Sequence, residues 1–220
     1  MIRWAIKSVV FTVVVGLTLF LGAGTIRWTM AWVYMGLYLV QQAILTLILP
    51  SELLVERSAV QEGTKQWDHI LSFLSALILP LVLYLVAGLD HRYGWMLSLS
   101  PALRTIALAL MVLGMALTGW AMAANRFFSG TVRIQAERDH RVVAGGPYQY
   151  VRHPGYVGGI LHHVAAPLVL GSLWALIPGA LGAAALMART ALEDRTLREE
   201  LSGYADYARQ TRYRLLPGVW

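Results

Sequence analysis

The chain lacks cysteine and has few charged residues. With no cysteine among its 220 residues, it cannot contain a disulfide, a thiolate metal site or a cysteine nucleophile. Charged residues make up 14% of the chain, against about 25% in ordinary soluble domains. Walker, His-Glu-x-x-His and Gly-x-Ser-x-Gly motifs are absent, as is a complete dinucleotide fingerprint. The chain therefore lacks the signatures on which P-loop, zinc-protease and serine-hydrolase chemistry depend.

Apolar residues dominate instead, at 57% of the chain, and the mean hydropathy is +0.57. A helix needs about 20 consecutive apolar residues to cross a bilayer. Four runs of this kind predict membrane spans at 4–21, 28–49, 70–89 and 103–124. Asp and Glu are almost missing from these runs, which argues against an ion-coupled transporter. The sequence therefore predicts a multi-pass integral membrane protein.

The segments between and after these runs are more polar. Residues 51–68 predict a loop or surface helix, and residues 90–101 a short connection. Apolar residues return at 158–187, interrupted by proline and glycine. Because one span takes about 20 residues, this stretch is too long for one helix and too short for two full ones. We expect a short helical hairpin that turns near Gly171-Ser172.

The predicted fold class is all-α: a polytopic transmembrane helix bundle with four spans plus a C-terminal helical hairpin. We divide this single membrane domain into N-terminal transmembrane helices, residues 1–124, and a C-terminal region, residues 125–220. Eleven of the 18 Lys and Arg lie in 125–157 and 189–220. The positive-inside rule places these segments and the C terminus on the cytoplasmic face. The net charge of +6 thus indicates contact with anionic membrane lipids rather than with nucleic acid.

The stretch from His140 to Gly159, HRVVAGGPYQYVRHPGYVGG, contains most of the candidate site residues. Its Gly-Pro and Pro-Gly pairs cannot continue a helix, because Pro lacks the N–H and Gly has low helix propensity. Non-helical backbone beside a membrane persists only when it is buried in protein or lines a polar cavity. We therefore expect a cytosolic ligand pocket here. His140 and His153 are candidates for ligand contact or for structural packing, and Tyr148 and Tyr156 for ring stacking or an interfacial belt.

Two further groups of polar residues lie outside this stretch. Arg189 and Glu193 are four residues apart and share a helix face. They form either an ordinary surface ion pair or a guanidinium and a carboxylate beside the cleft. His162 and His163 are neighbours on a helix and face different sides, so buried polar packing is expected there rather than a shared metal ion. No metal site is predicted.

The order and spacing of these residues resemble a known family. The pattern His140-x-Val142-Val143-x4-Pro147-Tyr148-x3-Arg152-His153-Pro154-x-Tyr156-x-Gly158 resembles the signature of the isoprenylcysteine carboxyl methyltransferases and is similar to that of the phospholipid methyltransferases. Arg189, Glu193-Asp194 and a Gly203-Tyr204 pair followed by Tyr207 continue the likeness, which covers about residues 125–217. One departure is Asp194, where the family has a second Glu.

The resemblance implies an S-adenosylmethionine-dependent methyltransferase that acts on a lipidic or small amphiphilic acceptor, with residues 125–220 as its catalytic region. It carries substrate contact onto Arg189 and assigns no catalytic residue. It carries cofactor binding onto ten positions: His140, Arg141, Val142, Val143, Tyr148, His153, Pro154, Gly155, Tyr156 and Glu193. A phospholipid N-methyltransferase, an NADPH-dependent membrane reductase and a non-enzymatic membrane protein remain alternatives. The sequence does not name the acceptor.

Overall fold

The computed structural model describes residues 2–95 and 99–220, and within these residues it contains helices and no strand. Four helical stretches are long and apolar enough to cross a membrane. They are α1 (Ile2–Ala23), α2 (Thr29–Ile48), the continuous stretch Gln66–Tyr93 and α6 (Pro101–Ala124). The third consists of α4 (Gln66–Phe73), a π-helical segment (Leu74–Ile78) and α5 (Leu79–Tyr93), and α3 (Ser51–Arg57) precedes it. The all-helical prediction with four spans is confirmed.

The connection predicted at residues 90–101 was too long, because residues at both of its ends belong to helices. Helix α5 continues to Tyr93 and ends where Gly94 adopts a left-handed conformation with φ of 62°. Helix α6 begins at Pro101, with the Ser100 hydroxyl accepting from the N–H of Leu103 as an N-cap. Part of the predicted connection, residues 96–98, lies outside the described residues. The π-helical segment Leu74–Ile78 ends two residues before Pro80, which has no N–H to donate to the preceding turn.

The predicted C-terminal hairpin is present. Helix α7 (Pro154–Leu170) and helix α8 (Leu176–Glu200) flank a turn at Gly171, whose φ of 83° requires a residue without a Cβ. A short helix, α9 (Tyr204–Gln210), follows Gly203, which is also left-handed. Helix α7 begins at Pro154, before the apolar run 158–187, and α8 ends at Glu200, after that run, because polar residues extend α8 beyond its apolar part.

Small residues let α7 approach its neighbours closely. A Cβ added to Gly158 would lie 2.1 Å from Oγ1 of Thr118 and 2.5 Å from the carbonyl oxygen of Gly114, both on α6. On the other side, a Cβ on Gly182 of α8 would lie 2.1 Å from the ring of His163. Small residues at helix crossings are a common packing device in membranes. Helix α7 is thereby fixed between α6 and α8, and with it the end of the Gly/Pro-rich stretch, residues 140–159.

The description of residues 51–68 as a polar loop or surface helix was wrong in one respect, because part of the segment is buried. Leu53 and Leu54 of α3 are 1% and 0% exposed and pack with Trp4, at the start of α1. Two acids of the same segment are also buried, Glu56 at 7% and Asp68 at 0% exposure. Each has an arginine partner from the C-terminal region. Glu56 and Asp68 therefore belong to buried ion pairs, whereas Glu52 and Glu62 of the same segment are exposed.

Candidate functional site

A cavity of about 470 Å³ lies between the N-terminal helices and the C-terminal region. This size falls in the range of about 300–1,000 Å³ that is usual for small-molecule sites. Helices α1, α2, α3, α6, α7, α8 and α9 contribute to its walls, together with the irregular segment 125–153. Of the eleven residues with a predicted binding role, all except Pro154 line it. Pro154 is the buried first residue of α7, where the missing N–H leaves no helical bond unmade.

Glu193 and Tyr156 meet across the cavity. The Tyr156 hydroxyl donates a hydrogen bond to Oε2 of Glu193, which joins α7 to α8 at the site. Glu193 is half-buried and is the single acidic residue among the described residues of the cavity wall. A carboxylate in this position can accept from an ammonium group or from ribose hydroxyls.

His140 lies on the opposite wall, in the irregular segment. Its Nδ1 accepts from the backbone N–H of Gln135 at 3.3 Å, and its ring packs against Phe127 with centroids 4.6 Å apart. Burial, together with the nearby guanidinium groups of Arg133 and Arg138, lowers the pKa of His140. The ring is therefore neutral at pH 7. Because Nδ1 is an acceptor, the proton lies on Nε2, which can donate to a ligand.

Tyr148 is held by three hydrogen bonds. Its hydroxyl donates to the carbonyl of Ala121 at 3.3 Å and accepts from Nδ2 of Asn125 at 3.3 Å. Its own carbonyl accepts from the hydroxyl of Tyr207 at 2.6 Å. Burial chiefly, and the charge of Glu193 in addition, raise the pKa of Tyr148, so its hydroxyl stays protonated. Helices α6 and α9 thus fix the turn that contains this ring.

Asp194, the residue that departs from the family pattern, is a buried structural centre. It is 1% exposed and binds Arg152 through two hydrogen bonds, from Nε at 2.7 Å and from Nη2 at 3.1 Å. Four more side chains contact its carboxylate: His153, Arg198, Tyr204 and Arg214. Burial alone would raise the pKa of Asp194, but the hydrogen bonds from His153 and Arg152 hold it well below its usual range. Asp194 does not line the cavity. Through Arg152 and Arg214 it connects the Gly/Pro-rich stretch to α8 and to the C-terminal tail, residues 211–220.

The tail completes this attachment through its backbone. The N–H groups of Arg152 and His153 donate to the carbonyls of Tyr213 and Arg214 at 2.9 and 3.0 Å. Nη1 of Arg152 also donates to the carbonyls of Thr211 and Arg212. The residues just before α7 therefore have satisfied backbone groups without any regular secondary structure.

Arg189 pairs with a residue that sequence reasoning missed. Its Nε and Nη2 donate to the carboxylate of Asp68 at 2.5 and 2.9 Å, and Nη2 also donates to the carbonyl of Gly130. Asp68 in turn accepts from the N–H of Val132. Within the described residues Arg189 forms no ion pair with Glu193, so the surface pair considered from the sequence is not what the structure contains. The guanidinium lies 5.5 Å from the centroid of the Tyr156 ring.

The N-terminal half contributes more to the site than the sequence indicated. Glu56 forms a two-pronged ion pair with Arg133, with distances of 3.1 and 3.0 Å. Arg57, next to it, lines the cavity, as does Lys7 of α1. The sequence does show a short polar segment between two spans, with acidic and basic residues next to Leu53 and Leu54. Nothing in the sequence indicated that this segment folds back onto residues 125–135.

In the helical hairpin His163 is a buried polar residue, as predicted, and His162 is half-buried. Nε2 of His162 lies 3.0 Å from the Tyr34 hydroxyl. The two ring nitrogens of His163 bond the carbonyls of Gly159 and Ser75 at 2.8 and 3.1 Å. Both rings therefore serve contacts between helices and are separate from the cavity.

The comparisons with known proteins concern the same region. Residues 107–199 match the model of the isoprenylcysteine carboxyl methyltransferase (ICMT) family. The resemblance to the ICMT family is confirmed. A segment of 70 residues is 39% identical to the protein-S-isoprenylcysteine O-methyltransferase of Schizosaccharomyces pombe; it covers 31% of this chain and 30% of that relative. The chain thus matches about a third of the curated relative's length.

A solved structure of the eukaryotic intramembrane Ras methyltransferase ICMT, determined without a monobody, is also similar. It aligns with 89% of this chain and 71% of its own, at a TM-score of 0.47 and 21% identity. The ICMT family match spans most of α6, the stretch 140–159, α7 and most of α8, and so includes all eleven predicted binding residues. The binding roles of these residues, and the division of the chain at residue 124, remain predictions.

Proposed function

We propose that this chain is an integral membrane methyltransferase that uses S-adenosylmethionine to methylate a carboxylate on a lipidic or amphiphilic acceptor. The observation that carries the proposal is the convergence of ten of the eleven predicted binding residues on one cavity of about 470 Å³. These residues come from segments that are up to 53 positions apart, from His140 to Glu193. The match to a family of methyltransferases supports the same activity.

The residues present fit S-adenosylmethionine. The cofactor carries an ammonium group, a carboxylate, ribose hydroxyls and an adenine ring. The cavity offers the Glu193 carboxylate for the ammonium or the hydroxyls, Nε2 of His140 as a donor, and the rings of Tyr148 and Tyr156 beside them. The volume is sufficient for a molecule of this class.

The chemistry asks for positioning more than for proton transfer. When bound, S-adenosylmethionine supplies a methyl group on a sulfonium: the C–S bond breaks with its electron pair left on sulfur, and a carboxylate lone pair of the acceptor forms the new C–O bond. Because the acceptor is already ionised and no proton is released, no side chain has to act as a base. The chain's contribution is to orient the two reactants, which by itself supplies a large part of the acceleration in reactions of this kind. The fixed turn at Tyr148 and the Tyr156–Glu193 hydrogen bond provide that orientation.

The charges of the cavity favour an anionic acceptor over a phospholipid amine. Among the described residues, six basic side chains line the cavity against one acidic side chain, Glu193; four of the six pair with carboxylates, which leaves Lys7 and Arg57 as the cations without an ion-pair partner. These cations would repel an ammonium acceptor, which would also have to lose a proton before methylation. A carboxylate acceptor meets complementary charge and needs no such step. The N-methyltransferase alternative is therefore less favoured.

We also infer that the cavity opens at the cytoplasmic end of the bundle. The start of α1, the end of α2, helix α3, segment 125–153 and the end of α8 lie at one end, as contacts such as Trp4 with Thr46 and Arg133 with Glu56 require. Lys65, which pairs with Glu200 at the end of α8, and the residues after α8, whose backbone bonds to that of Arg152 and His153, lie at the same end. Every Lys and Arg of the chain belongs to these parts except Arg27, Arg92 and Arg104. The positive-inside rule then makes this end cytoplasmic, where the cofactor is available.

Calorimetry on the protein in lipid nanodiscs tests the proposal. Wild type should bind S-adenosylmethionine, and Glu193→Gln should weaken binding about 10- to 150-fold, since a charge-assisted hydrogen bond contributes about 1.5–3 kcal/mol. Glu199→Gln, an exposed acid one turn and a half further along α8, is the matched control and should bind as wild type does. No binding by wild type, or equal binding by both variants, would contradict the proposal. Incubation with methyl-labelled cofactor and native lipid then identifies the product.

A further inference from the structure

Most cations of the cavity wall already have a carboxylate partner. Arg133 pairs with Glu56, Arg152 with Asp194, Arg189 with Asp68 and Arg141 with Asp139. Within the described part of the chain, the two basic side chains of the wall that form no ion pair are Lys7 and Arg57. They lie side by side, with Nζ of Lys7 3.4 Å from the carbonyl oxygen of Arg57. Lys7 is exposed and Arg57 is half-buried, so solvent screens the two like charges only in part, and an anion bound between them would be favourable.

The guanidinium of Arg57 is incompletely satisfied. Its Nη1 donates to the carbonyl of Ser129 at 3.1 Å, and its Cζ lies 4.9 Å from the centroid of the Phe128 ring. Its Nε is buried with no hydrogen-bond partner among the described residues. Burial, together with the charge of Arg189, lowers the pKa of Arg57 to about 10. A buried charged donor without a partner is costly, and a ligand that accepts a hydrogen bond from it removes that cost.

The surroundings of this pair are those of an amphiphile's head group. Trp4, Lys7 and Phe11 recur at helical spacing along one face of α1, and all three line the cavity. The ring of Tyr38 on α2 lies 5.8 Å from that of Phe11 and adds to the same apolar wall. A long apolar chain can therefore lie between α1 and α2 while its charged end remains at Lys7 and Arg57.

The same pair also lies next to the predicted cofactor residues. The Phe128 ring under Arg57 is the group that a Cβ on Gly155 would meet at 2.6 Å, so one ring separates Arg57 from the start of α7. An anion held at Arg57 thus lies between the apolar wall of α1 and α2 and the wall formed by Tyr148, Gly155 and Tyr156. That is the position that an acceptor carboxylate must take to meet the methyl donor.

We propose that Arg57, with Lys7 beside it, binds the carboxylate of the methyl acceptor. The proposal rests on the methyltransferase function proposed above and specifies how it selects its substrate. It assigns this role to the N-terminal half of the chain, whereas Arg189 is occupied by Asp68. The bound carboxylate is the group that receives the methyl, and methylation turns it into an uncharged ester. Arg57 therefore favours the free acid over its methyl ester, the product.

Equilibrium binding in nanodiscs tests this without turnover. The probes are tritiated N-acetyl-S-farnesylcysteine, as the free acid, and its methyl ester. Wild type should bind the acid about 10- to 150-fold more tightly than the ester, the range for a lost charge-assisted hydrogen bond. Arg57→Met should remove this preference by weakening acid binding alone, Lys7→Met should reduce it in part, and Arg57→Lys should restore part of it. Calorimetry should give an S-adenosylmethionine affinity within about twofold of wild type for all three variants, the spread that repeated titrations allow.

The matched control is Arg104→Met. Arg104 is another arginine with a buried Nε that lacks a partner among the described residues, but it lies at the start of α6 and does not line the cavity. Equal affinity of wild type for acid and ester, an unchanged preference in Arg57→Met, or the same loss in Arg104→Met would overturn the proposal. A fall in cofactor affinity with unchanged acid binding would overturn it too, since Arg57 would then bind the cofactor's carboxylate. If wild type does not bind S-adenosylmethionine, the proposed function itself fails.

Discussion

Replacing Asp194 by Asn should destabilise the fold strongly while leaving the cavity wall unchanged in composition. The carboxylate is 1% exposed and neutralises Arg152, whose side chain is 2% exposed. Removing one partner of a buried ion pair leaves the other charge uncompensated and typically costs about 3–5 kcal/mol. The carboxamide keeps the shape, so no cavity term is added. For a chain of this size the loss corresponds to a fall of roughly 10 °C in the melting temperature.

Tryptophan fluorescence during heating in one detergent measures this effect. The matched control is Asp206→Asn, whose ion pair with Arg209 is exposed on α9 and should leave the midpoint unchanged. Asp194→Glu, which restores the acid of the family pattern, keeps the charge and should melt between Asp194→Asn and wild type, because the extra methylene must fit a filled site. If Asp194→Asn melts within 2 °C of wild type, by the scale of about 2–4 °C per kcal/mol, the structural role of the residue is refuted.

Three further results are expected. Gly158→Ala should lower the melting temperature, since its Cβ would lie 2.1 Å from Oγ1 of Thr118, whereas Gly36→Ala, with nothing within 4 Å, should not; equal midpoints would contradict the close crossing of α6 and α7. Single cysteines at the exposed positions Gln149 and Ser202 should react with an impermeant thiol reagent from the same, cytoplasmic side, and labelling from opposite sides would contradict the hairpin topology. The pKa of Asp194 is held below its unfolded value, so its contribution to stability is complete above about pH 4 and is lost as the pH falls further. Acid titration of wild type should therefore show a steeper loss of stability below pH 4 than titration of Asp194→Asn, and parallel curves would contradict the assignment.

Element type and number could be predicted from the sequence because each depends on local composition. A run of about 20 apolar residues forms a membrane helix wherever it occurs, and glycine at position 171 ends α7 because it adopts a positive φ without strain. The likeness of the motif stretch to the ICMT family likewise depended on the order and spacing of residues in one segment. The ends of the helices could not be predicted from apolar runs alone, because polar residues such as Arg189 and Glu193 continue α8 for more than two turns beyond its apolar part.

What the sequence by itself determined is therefore the all-helical membrane fold, the hairpin and the set of residues in the C-terminal region from which a cofactor site could be built. The tertiary structure alone decided the partners of those residues: Asp68 for Arg189, Glu56 for Arg133 and a buried centre at Asp194. It also decided that Lys7 and Arg57 share the cavity. The physical reason is that helix packing brings together ion-pair partners that are far apart in the sequence, 121 positions for Asp68 and Arg189. The composition of a polar segment is the same whether its charged residues face solvent or pair with a buried partner, so composition does not distinguish the two cases.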